Sequence, residues 1–175
     1  MINLRNAELG DAQQISEMIQ GNFLGRYYEH LTPAERKLYV SANSEKNISG
    51  KIVDETSKMF VAENTASLCG VLLLNFDNTR GANGGWRIRR LHTHPDYARL
   101  GLADRLLDMA YMQTIRGGHT KLYAEPTAEV ERFFRERGWQ GYLTKKLSSM
   151  TLDDGTIYTT TIKKMIARKN LRGLC

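Results

Sequence analysis

The chain is poor in cysteine: it has two, Cys69 inside an apolar run and Cys175 at the last position. Neither a disulfide framework nor a metal-ligand spacing can be built from that pair, so no metal is expected and a reducing, cytoplasmic setting is. No apolar run approaches the ~20 residues of a membrane span, and no membrane partner is expected. Met1-Ile2-Asn3-Leu4-Arg5 lacks the basic flank and apolar core of a signal peptide. Linkers, low-complexity stretches and solenoid repeats are missing too, which leaves one domain over residues 1–175 as the expectation. There is no Gly-Lys-Ser/Thr loop and no Gly triplet between a first strand and helix. That removes the two commonest nucleotide-phosphate loops.

What the chain does have is positive charge, +6 net. Such a surface suits a polyanion, and a nucleotide cofactor or a nucleic acid would both qualify. Much of the excess is local, since Lys163, Lys164, Arg168, Lys169 and Arg172 crowd the C-terminal end. A solvated basic tail accounts for them, so nucleic acid stays a secondary expectation.

Hydrophobic periodicity orders the elements. Ile2 to Arg5 gives a first strand, and Asp11 with Gln14 gives a capping box ahead of the stripe Ala12, Ile15, Met18, Ile19. Thr32-Pro33-Ala34-Glu35 combines an N-cap, Pro at the first helical position and Glu at the third. Ser44 to Glu55 forms a third helix with Ile48, Ile52 and Val53 on its apolar face. Phe23, Tyr27, Tyr28 and His30 fall between the first two helices. Strands follow at Lys58 to Glu63 and Leu68 to Phe76, the second carrying the continuous Val71-Leu72-Leu73-Leu74 of a buried central strand. Trp86 to His94 is a strand ended by Pro95; Gly101 to about Ile115 is an amphipathic helix; Thr120 to Glu125 is a strand stopped by Pro126. Thr127 caps another helix with Gly138 just past its end, and Asp153-Asp154-Gly155 joins two last strands, Tyr142 to Met150 and Thr156 to Ile166. The order predicts an α/β sandwich on a mixed sheet.

The chemistry concentrates in Leu91-His92-Thr93-His94-Pro95-Asp96-Tyr97-Ala98-Arg99-Leu100-Gly101-Leu102-Ala103. A strand stops at Pro, crosses a short loop and enters a helix through Gly and a small residue. Helix N-termini present unpaired amides and a positive dipole, so this turn is a ready anion site, and a diphosphate is the expected guest.

The stretch resembles the central motif of the GNAT N-acetyltransferase superfamily, in which a strand and Pro precede Gln/Arg-x-x-Gly-x-Gly/Ala. Phe134-Arg135-Glu136-Arg137-Gly138-Trp139 resembles that family's downstream Tyr-x-x-x-Gly-Phe, and the element order matches over nearly the whole chain. The resemblance implies a three-layer α/β/α sandwich with a mixed, mostly antiparallel central sheet and a splayed strand pair. It implies acetyl-CoA as cosubstrate and a primary amine as acceptor, in a monomer or homodimer. Leu91, His92 and Thr93 would meet the pantetheine arm. Ala98, Arg99, Leu100, Gly101, Leu102, Ala103 and Asp104 would cradle the diphosphate, and Thr127 and Phe134 would complete the coenzyme site.

The chain departs from the pattern in ways that bear on mechanism. Ala98 stands at the leading Gln/Arg position, Thr127 where an Asn is frequent, and Phe134 where many relatives carry a proton-donating Tyr. Arg87 and Arg89 occupy the strand positions where some relatives place a Glu base. His92 and Glu125 are the leading base candidates, with His94, Glu63 and Tyr158 behind them; imidazole titrates near neutrality, which favours His92. Cys69, in an apolar strand, is a poor nucleophile. The acceptor is expected over the N-terminal helices and the C-terminal hairpin, where Tyr27, Tyr28, His30 and Tyr39 are candidate lining residues. Arg87 and Arg89 would greet an acidic acceptor or project to solvent.

Overall fold

The structure, a computed structural model, describes residues 1–27, 29, 31–77, 84–126, 128–151 and 157–170. Strand β1 (Asn3–Asn6) leads through a single 3-10 turn into helix α1 (Ala12–Tyr27). Asp11 does not cap with Gln14 as the sequence suggested. The helical path begins earlier, at Glu8, so Asp11 falls in the first turn and its Oδ2 accepts from Glu8 N at 2.7 Å. The same carboxylate takes two Arg5 hydrogen bonds, at 2.6 and 2.9 Å, which tie β1 to the start of α1. Gln14 instead accepts from Leu68 N at 3.4 Å. Helix α1 also runs on through Phe23, which the sequence had placed between helices.

Helix α2 (Pro33–Ala42) opens with the expected box: Glu35 N donates to Thr32 Oγ1 at 3.3 Å and Thr32 N to Glu35 Oε2 at 2.8 Å. Helix α3 (Glu45–Val53) is capped by Ser44 and buries Ile48 completely. Val53 is 63% exposed, contrary to its expected place on the apolar face. It stands five residues past Ile48, about 140° round the helix, and so turns to solvent.

The remaining elements are β2 (Ser57–Glu63), β3 (Leu68–Asp77), β4 (Gly85–Thr93), α4 (Leu102–Arg116), β5 (Lys121–Ala124), α5 (Ala128–Arg135), β6 (Gln140–Thr151) and β7 (Ile157–Asn170). The strands form one seven-stranded sheet in the order β1-β2-β3-β4-β5-β7-β6, antiparallel except where β4 meets β5. Strand β3 is buried on both faces, which explains its unbroken apolar run. Leu72 and Leu74 pack toward Leu102, Leu106, Leu107 and Ala110 of α4; Val71 and Leu73 pack toward Ile15 and Ile19 of α1 and Ile48 of α3. Each such leucine or isoleucine contributes about 1.5–3 kcal/mol by leaving water. The result is the three-layer α/β/α sandwich expected.

Two features of the sheet set up the site. Strands β4 and β5 pair only over Trp86–Ile88 and Leu122–Ala124, and β4 runs on to Thr93 without its neighbour. Opposite β3, the register jumps so that Leu74 faces Ile88 and Leu73 faces Arg90, leaving Arg89 as the extra residue of a β-bulge. A bulge bends and twists its strand, which turns the far half of β4 away from β5. Beyond β5, β7 pairs with it only over Ala167–Asn170, so the rest of the β6–β7 hairpin runs past the end of β5.

Candidate functional site

The site is the fork between β4 and β5. His94 N donates to Cys69 O on β3 at 2.8 Å. Because main-chain groups alternate between strand edges, His92 and Arg90 also point theirs at β3, and Leu91 and Thr93 point theirs into the fork. There Thr93 O accepts from Asn22 Nδ2 of α1 at 3.0 Å. The splayed pair thus presents polar backbone to a gap between strands, a geometry suited to an extended amide-bearing ligand.

The fork continues into the loop before α4. His94 caps a 3-10 turn (Pro95–Tyr97), its Nδ1 accepting from Asp96 N at 3.3 Å, so the His94 ring serves the turn and lies outside the pocket wall. Ala98 is then extended, and Arg99 and Gly101 both take left-handed conformations, with φ of 65° and 70°. Left-handed residues in a turn curl successive N–H groups toward one side, the arrangement of anion-binding nests. A Cβ on Gly101 would meet nothing within 4 Å, so it is backbone conformation that calls for glycine here. The first helical hydrogen bond runs from Arg105 N to Gly101 O at 3.1 Å, which leaves Leu102, Ala103 and Asp104 with N–H groups that have no intrahelical acceptor. Leu102 is buried and anchors this turn, whereas Ala98, Arg99 and Leu100 are exposed.

Asp104 would spoil an anion site if its charge were unopposed. Its side chain instead turns to Arg137, which donates through Nε and, at 2.9 Å, through Nη2. The guanidinium holds the Asp104 carboxyl below its ordinary range.

A pocket of about 370 Å³ fills the fork. From the expected coenzyme residues it gathers Leu91, His92, Thr93, Ala103 and Phe134; Ala98, Arg99, Leu100, Gly101, Leu102 and Asp104 lie outside its wall, in the loop and helix start beside it. Thr127 lies outside the described residues, as do Tyr28, His30 and the side chains of Tyr27, Tyr158, Lys163, Lys164, Arg168 and Lys169. Residues after Asn170 are outside them too, Arg172 included.

Of the base candidates, the pocket holds His92 and Glu125. His92 lies opposite Val71 in the β3–β4 register and so shares the face that carries α1 and α3. Glu125 is engaged: Arg87 Nη1 donates to its Oε1 at 2.6 Å, and Arg89 Nη1 stands 4.0 Å from Oε2. Arg87 also pairs with Asp77. Glu63 is on the far strand edge, bound to Arg5 and Asn3, and takes no part in the pocket. Phe134 is 4% exposed, wedged edge-to-face between Phe133 and Trp139, yet its ring reaches the pocket wall. Gly138, at φ 74°, ends α5 and returns Trp139 to the core, with Trp139 N donating to Phe134 O at 3.1 Å. The helix-Gly-aromatic signature therefore has a structural cause.

Two further pocket residues, Asn22 and Arg90, are not singled out by any motif. Asn22 reaches Thr93 across 71 positions of sequence, a contact that only the packing of α1 on β4 creates. Tyr39 does line the pocket as expected; its ring stacks on Phe23 at 3.6 Å, and burial raises its pKa so that the phenol keeps its proton.

The acetyltransferase (GNAT) domain family matches the sequence over residues 25–152. Among solved structures, PaiA N-acetyltransferase from Thermoplasma acidophilum, in complex with coenzyme A, superposes with a TM-score of 0.71 at 15% identity, covering 97% of this chain and 99% of its own. An acetyltransferase of the GNAT family from Staphylococcus aureus Mu50 gives a TM-score of 0.72 at 14% identity, over 98% and 100%. The ribosomal-protein-S18-alanine N-acetyltransferase from Escherichia coli gives 0.62 at 16%, over 98% and 94%. At these identities the likeness is one of fold. No curated protein matches the sequence.

Proposed function

This chain belongs to the acetyltransferase (GNAT) family, and from that premise we propose that it binds acetyl-CoA in the β4–β5 fork and transfers the acetyl group to a primary amine. One observation carries the proposal: the open edge of Leu91 and Thr93 leads into a left-handed loop and a helix N-terminus, so amide-binding and phosphate-binding donors lie in sequence along one path. A pantetheine arm joined to a diphosphate has that order of acceptors. The donor set fits the group, being main-chain N–H, and the carboxylate in the first turn of α4, Asp104, is opposed by Arg137.

Bound this way, acetyl-CoA supplies the activated acyl carbon. The residues of this chain do the rest. The main chain of Leu91 to Thr93 orients the thioester and places an N–H where charge develops on the carbonyl oxygen. His92 accepts the proton of the attacking amine, directly or through one water. Phe134 has no proton to donate, and a thiolate is a weak enough base to leave without a strong acid. Holding both substrates in one pocket removes much of the entropic barrier to direct attack. The buried Phe134 favours one second reading, a coenzyme-binding module without turnover.

Calorimetry with CoA, followed by thiol release from acetyl-CoA across an amine panel, tests the proposal. Binding with turnover supports it, and binding without turnover of any amine selects the module. No heat with CoA removes both.

A further inference from the structure

Arg90 stands out among the charged groups of the pocket. It is half-buried in the pocket wall, and among the described residues no carboxylate lies within ion-pair distance of it. Its Nε donates to Asn43 Oδ1 at 3.1 Å and its Nη1 to Arg89 O at 2.9 Å; Nη2 has no acceptor among the described residues. The Tyr39 ring lies 5.8 Å from the guanidinium carbon. Asn43 is itself fixed: it is 1% exposed, its Nδ2 donates to Tyr39 O at 2.8 Å, and its carbonyl accepts from Ser16 Oγ at 2.7 Å. Arg90 is thus held in place by neutral groups alone.

Its surroundings add to the positive charge. Arg89 projects beside it from the bulge, and Lys51 of α3 is close enough that both arginines, after burial, depress the Lys51 pKa. Burial, and secondarily Arg89, pushes Arg90 down in the same way. Of the carboxylates beside β4, Asp77 pairs with Arg87, and Glu125 pairs with Arg87 at 2.6 Å and stands 4.0 Å from Arg89. Taking a cation out of water with no counter-charge is costly, and the cost is relieved when a bound anion supplies one. Guanidinium is suited to that task, because its planar fork matches an oxyanion.

Resting on the acetyltransfer reading above, we propose that the acceptor is a small amine that also carries an oxyanion, and that Arg90, aided by Arg89 and Lys51, binds that anion. The anion lies on the face of α1 to α3, which leaves the amine directed toward the fork and His92.

The test measures thiol release from acetyl-CoA with matched pairs: L-amino acids against their primary amides, and phosphoethanolamine against ethanolamine, with spermidine as a polycation. Calorimetry of the same amines on the protein–CoA complex runs alongside. The anionic member of a pair should be preferred, and which pair responds tells carboxylate from phosphate. Arg90→Gln should raise KM for the anionic member about 10- to 100-fold, the weight of a charge-assisted hydrogen bond, and leave its neutral partner unchanged. Lys51→Met, which keeps the aliphatic stem, should give the same sign with smaller size should Arg90→Gln fail to fold. Equal use of both members, preference for spermidine or the amides, or no amine binding to a protein that does bind CoA overturns this proposal alone. A fall in kcat common to both members also overturns it, placing Arg90 at the reacting carbonyl. Absence of heat with CoA removes the acetyltransfer reading beneath it.

Discussion

Arg87 Nη1 donates to Glu125 Oε1 at 2.6 Å, bridging β4 and the residue after β5 where the two strands part. Ile88 and Ala124 are the last paired residues, so the ion pair sits at the base of the fork. Arg87 also holds Asp77, and the side chains of all three are between 11% and 14% exposed. Replacing Arg87 with Met leaves two carboxylates near one another in a poorly solvated place. The expected loss is about 3–5 kcal/mol, larger than for an exposed pair, and read from urea midpoints. Adding Glu125→Gln to Arg87→Met should recover part of that loss; full additivity would show that the two side chains are not coupled.

Within the pocket, Glu125 is already held by Arg87 at 2.6 Å. The proposed mechanism therefore assigns proton acceptance to His92. His92→Gln is expected to lower kcat by about 10²-fold or more and to abolish the acid limb of the pH–rate profile. Glu125→Gln should keep that limb. A profile unchanged in His92→Gln but flattened in Glu125→Gln would assign the base the other way.

Periodicity and punctuation made the fold legible. Pro95 and Pro126 ended strands where the sheet ends them, and the run Val71 to Leu74 announced a strand buried on both faces. The left-handed loop before α4 was legible for a local reason: Gly101 and Ala103 mark a helix start whatever lies around them. What sequence hid was long-range or angular. Asp11 and Gln14 lie at the right spacing for a box, yet the 3-10 turn at Glu8 moved the start and released Gln14 to Leu68. Arg87, Arg89 and Arg90 look alike in sequence. The bulge at Arg89 and the positions of Asp77, Glu125 and Asn43 give them three different environments. The fork was expected through the family resemblance alone and not from local pattern, because strand divergence is a property of two segments more than thirty residues apart.

Gly101 is required for conformation alone. Its φ is 70° and no atom lies within 4 Å of where a Cβ would stand. Gly101→Ala should therefore cost only about 1 kcal/mol of stability, the left-handed penalty, while weakening CoA more than that loss implies by opening the loop. Calorimetry beside thermal melting separates the two effects. Unchanged CoA affinity at lower stability would detach the loop from the phosphates.

Gly70 is required for space. A Cβ there would come within 3.1 Å of Leu106 Cδ1 and 3.2 Å of His92 O, at the crossing of α4 over β3 and β4. Gly70→Val overfills that crossing, and a destabilisation of about 1–3 kcal/mol is expected. Because the strain bears on the His92 carbonyl and the start of α4, CoA affinity should fall with it. A variant that folds as stably as the parent would show that α4 can withdraw without cost.

The Asp104–Arg137 pair makes a prediction about acid. Arg137 lowers the Asp104 pKa from its ordinary 3.8 in the folded state. A depressed carboxylate pKa stabilises the fold above the unfolded value and ceases to do so as pH falls through the folded one. The side chain of Asp104 is 47% exposed, so solvent screening keeps the contribution to about 1 kcal/mol or less. Asp104→Asn should thus be less stable than the parent at neutral pH, and the two should converge as the pH falls below the ordinary 3.8 and through the folded-state pKa. The same substitution should improve CoA binding slightly, since it removes a negative charge from the first turn of α4. Were the gap between the urea midpoints to widen in acid, Asp104 would have to be the group that protonates more readily in the folded state, and Arg137 could not be its partner.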